Sequence, residues 1–220
     1  NGNEYAGSAC SGTENCEVAC TRDTGCGGYS APNTLIQKLG NEFQVNTYTT
    51  SKQENPVITA LSNGGFVIAW HSLHQDGDLW GVYAQRYATD GTALGNEFLV
   101  NNYTTNHQQS PSITSTSNGF VIAWQSWAQD GEYAGIFAKG FLNDGTIIAD
   151  EFQVNTYTTN NQQMPSIAST SNGFVIVWKS NEQDGESGGI FAQTYANDFN
   201  RIGSEFQVNT YNVSDQSTPV

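Results

Sequence analysis

Three loops carry paired acids around a glycine. Asp76 and Asp78, Asp130 and Glu132, and Asp184 and Glu186 each sit two residues apart, in Gln-Asp-Gly-Asp or Gln-Asp-Gly-Glu words. Oxygen ligands at that spacing suit Ca²⁺, which accepts carboxylates and carbonyls in flexible geometry. Two carboxylates fill only part of a shell of roughly six to eight oxygens. Calcium is therefore a candidate cofactor at these loops. The rival reading is plain turn chemistry, since Asp-Gly makes good turns flanked by solvated acids.

All the cysteines, Cys10, Cys16, Cys20 and Cys26, lie at the start, among Gly, Ser and Thr. An even, dense cluster of this kind reads as two disulfides in an oxidising compartment, with three connectivities open. A Cys₄ zinc site is the competing chemistry, but close Cys-x₂-Cys pairs are missing. Asn102-Tyr103-Thr104 and Asn212-Val213-Ser214 are glycosylation sequons. His71 and His74 flank Asp76 in one repeat only and read as incidental exposed loop histidines. Ser72, Ser126 and Ser180 recur without a recurring histidine partner. No nucleophile elbow, phosphate loop or zinc signature is present, so enzymatic activity is not expected.

The net charge of −14 repels nucleic acid and anionic membranes. No stretch approaches the roughly 20 apolar residues of a membrane span. A low-charge surface rich in Asn, Thr and Tyr suits a secreted β-protein. Without an initiator Met or a signal peptide, the chain reads as a processed form or a fragment.

These residues hang on a repeat. Gly65-Phe66-Val67-Ile68-Ala69-Trp70 returns over residues 119–124 and, with Val177 for Ala, over 173–178, the tryptophans 54 residues apart. A short apolar run without alternation suits a strand covered on both faces. Asn63-Gly64, Asn118-Gly119 and Asn172-Gly173 precede or open these runs and predict type I′ hairpins. Pro56, Pro111 and Pro165 are expected to open the preceding strands. Asp90-Gly91 and Asp144-Gly145 end the first two repeats. The third copy, Asp198-Phe199-Asn200, loses the glycine, and its turn is expected to differ. Trp80 and Trp127 fall at no common repeat position and read as loop aromatics tucked onto the sheet.

The expected fold is all-β: three tandem four-stranded antiparallel repeats, about 41–95, 96–149 and 150–203, resembling propeller blades. They form an open stack or a propeller-like array, with a β-trefoil as the alternative. Residues 1–33 form a separate cysteine-rich segment stapled by its disulfides. The alternating word Glu42-Phe43-Gln44-Val45-Asn46 is taken as the first strand of each repeat. It is written a fourth time as Glu205-Phe206-Gln207-Val208-Asn209, a surplus strand over 204–220 that invites pairing with a neighbouring copy.

The repeat words over residues 40–220 resemble tandem repeats of large secreted bacterial surface proteins, including calcium-dependent adhesins of the RTX type. The resemblance implies an extracellular propeller-like array of adhesive or structural material and transfers no catalytic residues. The expected function is an extracellular structural or adhesive protein, forming homo-oligomers or filaments by strand complementation. The alternative is a lectin-like module that takes glycans at one shallow site per repeat. Leu79-Trp80, Tyr133-Ala134 and Ser187-Gly188 are unlike one another, which counts against three equal sugar sites.

Overall fold

Among the described residues of the computed structural model, twelve strands make three separate antiparallel meanders. The described residues are 41–131, 133–185, 187–211, 214–216 and 219. The cysteines and the expected segment 1–33 lie outside them, as do Glu132, Glu186 and Asn212. Residues 41–220 form a unit distinct from 1–40. The first blade holds β1 (Gln53–Ala60), β2 (Phe66–Leu73), β3 (Trp80–Tyr87) and β4 (Phe98–Leu99). The second holds β5 (Gln108–Ser115), β6 (Gly119–Trp127), β7 (Ala134–Leu142) and β8 (Ile147–Gln153). The third holds β9 (Gln162–Thr170), β10 (Gly173–Asn181), β11 (Gly188–Ala196) and β12 (Arg201–Gln207). Each sheet runs in chain order, so the blade-like reading holds and the trefoil does not form. Among the described residues no helix is long and apolar enough to cross a membrane.

The repeat is shifted by one strand from its expected phase. Phe98 and Leu99 pair with Ala84 and Tyr83, and Phe206 and Gln207 with Ala192 and Phe191. The Glu-Phe-Gln-Val word therefore closes the blade before it. The cause is the turn after the third strand, where Ala88 N–H donates to Thr92 and Leu142 N–H to Thr146 and the chain folds straight back. Alternation marks a strand's wet face but not its neighbour. Glu205, Phe206 and Gln207 are thus regular members of β12, and the copy left without a ladder among the described residues is the one over residues 42–46.

The apolar phrase is doubly covered where a blade stands on both sides. Every residue of β6 but Trp127 is buried. Phe120, Ile122 and Trp124 pack into the core shared with Val67, Ala69, Val82 and Ala84 of the first blade. Val121 and Ala123 join Phe174, Ile176 and Trp178 of the third. Adjacent residues of one strand thus serve two cores, which explains the missing alternation.

The Asn-Gly turns are not type I′. Thr170 pairs with Gly173 across Ser171 and Asn172, and neither central residue has positive φ. In the first turn Gly64 alone takes positive φ, 88°. In the other two the glycine lets backbone approach backbone: a Cβ on Gly119 would lie 1.8 Å from the Phe141 carbonyl oxygen, and one on Gly173 1.9 Å from that of Tyr195. The third repeat's turn also corrects its expectation. Phe199 takes φ 67° where Gly91 and Gly145 take 84° and 88°, and Ala196 N–H still donates across the turn to Asn200. The side chain packs on Phe174 and Phe152, which offsets a conformation costing an L-residue about 1–2 kcal/mol. The prolines sit beyond the expected strand start, at bulges: Pro56, Pro111 and Pro165 each follow a residue with φ 53°.

Candidate functional site

The repeated polar residues converge on the joints between blades. Glu97 Oε2 accepts the Thr47 N–H at 2.6 Å, and its Oε1 accepts the Tyr48 N–H and the Gln75 amide. Glu151 holds Asn102 N–H and Gln129 in the same way, and Glu205 holds Thr156 N–H and Gln183. In the second and third blades the outer strand therefore clasps the chain arriving from the blade before it, and in each blade the glutamine of its own Gln-Asp-Gly loop acts as a brace. Charge-assisted bonds of this kind are about twice as strong as neutral ones.

An asparagine staples each joint from the other side. Asn101 Oδ1 accepts Val82 N–H at 2.7 Å in the first blade, while its Nδ2 donates to Tyr103 O and Gln108 Oε1 on the way into the second. Asn155 does the same with Ile136, Tyr157 and Gln162, and Asn209 with Ile190, Tyr211 and Gln216. Asn46 makes the Tyr48 and Gln53 bonds, but no third-strand N–H meets its Oδ1 among the described residues.

The acids proposed for calcium are spent differently. Asp130 Oδ2 accepts from Gln153 and Asn155, and Asp184 Oδ2 from Gln207. Each points at a glycine of the next strand: a Cβ at Gly81, Gly135 or Gly189 would meet the Asp76, Asp130 or Asp184 carboxylate inside 3 Å. Asp78 Oδ2 turns away and accepts Asn106 N–H at 2.8 Å. No group of three or more His, Cys, Asp or Glu gathers around one point among the described residues. Asp130 and Asp184 thus brace the sheets they lie in, and Glu132 and Glu186, two of the six acids read as calcium ligands, lie outside the described residues. Burial raises the pKa of Asp130 above the ordinary carboxylate range, with the Asn155 hydrogen bond opposing.

His71 corrects the reading of an incidental loop residue. It lies on β2, 3% exposed, and its Nδ1 accepts Ser110 N–H at 3.2 Å across the joint. Gln125 takes its place in the second blade, accepting Met164 N–H. Burial pulls the His71 pKa below its ordinary value, with Glu54 pulling the other way. Trp80 opens β3 and meets the His71 ring edge-on at 4.5 Å, and Trp127 ends β6 near His107. Both are strand residues, not loop residues. Asn102, a sequon residue, is exposed and bonded: it accepts from buried Lys139 and donates to Asp150. Neither the glutamate clasp nor the asparagine staple was read from the sequence, although both residues recur in every copy of the same word.

The two end faces are unlike the joints. Ile58 is 63% exposed, whereas Ile113 and Ile167, at the same place in later blades, are 9% and 8%. Val208 is 50% exposed, whereas Val100 and Val154 are fully buried. Beside Ile58 runs a groove of about 450 Å³, lined by Val57, Ile68 and Trp70 together with Asn46, Gln53 and Glu54.

No protein-family model matches the chain, and no curated protein matches it. Solved structures similar to it include an α-L-arabinofuranosidase from Lactobacillus brevis, at 12% identity and a TM-score of 0.46 over 70% of this chain and 54% of that one. A family 117 glycoside hydrolase from Zobellia galactanivorans is similar at 11% identity and 0.47, over 71% and 55%. A thermostable family-43 glycoside hydrolase is similar at 8% and 0.46, over 79% and 63%. The chain thus spans less than two thirds of each. The expectation of a protein without enzymatic activity is withdrawn, because these structures carry the names of enzymes. Its basis was at fault as well: carboxylates that act on glycosides carry no linear motif, so missing motifs exclude little. At this identity the likeness assigns no activity to this chain. What stands is an all-β repeat of blade-like sheets.

Proposed function

We propose that this chain is a building unit of extracellular structural or adhesive material, assembled by stacking the end blade of one copy on the first blade of the next. The observation that carries the reading is the pair of exposed end faces. The surface around exposed Ile58 and half-buried Ile68 is the counterpart of the one that Ile113 and Ile122 bury against the first blade. The surface around Val208 is the counterpart of the one that Val100 offers to the second. The described blades therefore carry, at their two outer faces, both halves of a joint that is built twice between them. A head-to-tail contact of this kind yields filaments unless its rotation closes. The likeness of the repeat words to secreted bacterial surface repeats supports the extracellular placement. Electron microscopy and sedimentation of the purified chain test it: linear assemblies whose length grows with concentration are expected, and a monomer at every concentration refutes it.

A second reading, a carbohydrate-binding module, is favoured by the groove beside Trp70. An apolar lining with amides and one carboxylate beside it offers a sugar both apolar contact and hydrogen-bond partners. A glycan array on the monomer, with Gln53→Ala as control, tests it. Binding lost in that variant supports the reading, and no binding to any glycan removes it.

A further inference from the structure

We infer that Lys139 and Asn102 are the partners of a spontaneous isopeptide cross-link, formed with Asp150 as proton relay, that ties the chain entering the second blade to β7 of that blade. The inference is independent of the stacking reading. Three departures from the repeat meet at one point. Lys139 pairs with Ile122 in the ladder where Gln85 pairs with Ile68 and Gln193 with Ile176. Asn102 stands where the other copies of its word have Thr47, Thr156 and Thr210. Asp150 precedes Glu151 where Asn41, Asn96 and Ser204 precede Glu42, Glu97 and Glu205. Gln85 and Gln193 donate to carbonyls of their own blades. Lys139 instead reaches the chain leaving the first blade: its Nζ donates to Val100 O at 3.1 Å and to Asn102 Oδ1 at 2.7 Å.

The three side chains supply a nucleophile, an electrophilic carboxamide and a proton carrier. Lys139 is 4% exposed, and its Nζ lies 6.0 Å from the centre of the Phe141 ring, so the nucleophile is kept from bulk water. Asp150 Oδ1 accepts Asn102 Nδ2 at 2.8 Å and lies 3.7 Å from Lys139 Nζ. One carboxylate therefore reaches both the nitrogen that attacks and the nitrogen that leaves. Glu151 N–H donates to the same Oδ1, and Glu151 Oε2 accepts Asn102 N–H at 2.6 Å, which holds both reacting residues in place.

The ammonium of Lys139 gives a proton to Asp150, and the freed lone pair forms a bond from Nζ to Asn102 Cγ. The Cγ–Nδ2 bond breaks, and its electron pair leaves with Nδ2. Two protons in all pass from Nζ to Nδ2 by way of Asp150, so the ammonium and the carboxamide become one secondary amide and one ammonium ion. The Asn102 amide and the Glu151 N–H hold the Asp150 carboxyl below the usual carboxylate range. It is thus ionised and open to the proton, but the transfer is uphill and the reaction slow. The product closes residues 102–139 into a covalent ring that contains β5 and β6, and such a ring restricts the unfolded chain as a disulfide does. A glycan on Asn102 would occupy the nitrogen that must leave, so glycosylation and the cross-link exclude each other.

Mass spectrometry of the reduced, unglycosylated chain tests this after the folded protein is incubated at about pH 9, where more of a lysine amine is the free base. Proteolysis should release a branched peptide joining Asn102 to Lys139, and the intact mass should fall by one ammonia. Imide formation at an Asn-Gly pair loses the same mass, so the branched peptide is the deciding readout. Lys139→Gln, which copies the other blades, should give none. Asp150→Asn keeps the acceptor but cannot carry the proton, and should form the link about a hundredfold more slowly, with circular dichroism as the check on folding. Separate, unlinked peptides for Asn102 and Lys139 from the incubated wild type overturn the inference. Formation at an unchanged rate in folded Asp150→Asn overturns the relay assigned to Asp150.

Discussion

His71 in the first blade accepts the backbone N–H of Ser110 in the second, so one imidazole lone pair holds a bulge across the joint. A protonated ring has no lone pair for that bond. Ser110 takes positive φ, and Met164 repeats the arrangement against Gln125.

The first prediction is a pH-dependent joint. Burial lowers the folded-state pKa of His71, and Glu54, the one acid paired with the ring among the described residues, only partly opposes. The unfolded chain therefore binds this proton at higher pH than the folded one. Stability from His71 is fully present above the ordinary histidine pKa of about 6.5 and is lost as pH falls through the lowered folded value. His71→Gln, which copies the second blade, should flatten thermal stability between about pH 7 and pH 5. Melting curves across that range check it, and an equal slope in both proteins would place the titration elsewhere.

The second prediction concerns an acid without its partner. Asp130 and Asp184 receive amide hydrogens from Gln153 and Gln207. The first blade has Leu99 at that position, and Asp76 Oδ2 is buried with no hydrogen-bond partner. Leu99→Gln should supply the donor and raise stability by about 1 kcal/mol, read as a shift in denaturant midpoint. The same change should leave the second and third blades' hydrogen exchange untouched.

The sheet architecture was legible because the apolar phrase and the prolines repeat, and each marks a strand regardless of its partner. The phase was not legible. Glu97 and Phe98 alternate in the same way whether they open one blade or close another, and only the hairpin at Asp90-Gly91 decides. The joints were hidden for a related reason. Glu97 reaches Thr47, and Asn101 bonds both to Val82 and to Gln108, over separations that no local pattern reports. His71 was misjudged because it is unrepeated, although its counterpart Gln125 performs the same acceptance with different chemistry.

The third prediction separates two tryptophans three residues apart. Trp124 is fully buried in the core between the first and second blades, while Trp127 is half-buried at the end of β6. Trp124→Ala should cost about 3–5 kcal/mol. Trp127→Ala should cost clearly less, since it keeps the Trp127 N–H bond to His107 O. Comparable denaturant midpoints for the two variants would show that the joint between the blades does not carry the stability assigned to it.

The last prediction sets a lack of space against a lack of backbone freedom. Gly119 does not have positive φ, so its dihedrals would tolerate alanine, but the added Cβ would meet the Phe141 carbonyl oxygen at 1.8 Å and the Leu142 Cα at 2.8 Å. Both obstacles are backbone atoms of the paired strand, so neither can turn aside as a side chain would. Gly131 is the converse, with φ 146° and nothing within 4 Å of where a Cβ would stand. Alanine there meets only conformational strain, of order 1–2 kcal/mol. At Gly119 the β6–β7 ladder must part at its end, and the loss should reach about 3 kcal/mol or more, at the upper end for overpacking. Denaturant unfolding of the two variants decides the order. If Gly131→Ala proved the more damaging, the glycine of the repeated phrase would be there for its dihedrals, and the close approach of the strands would not be the reason for it.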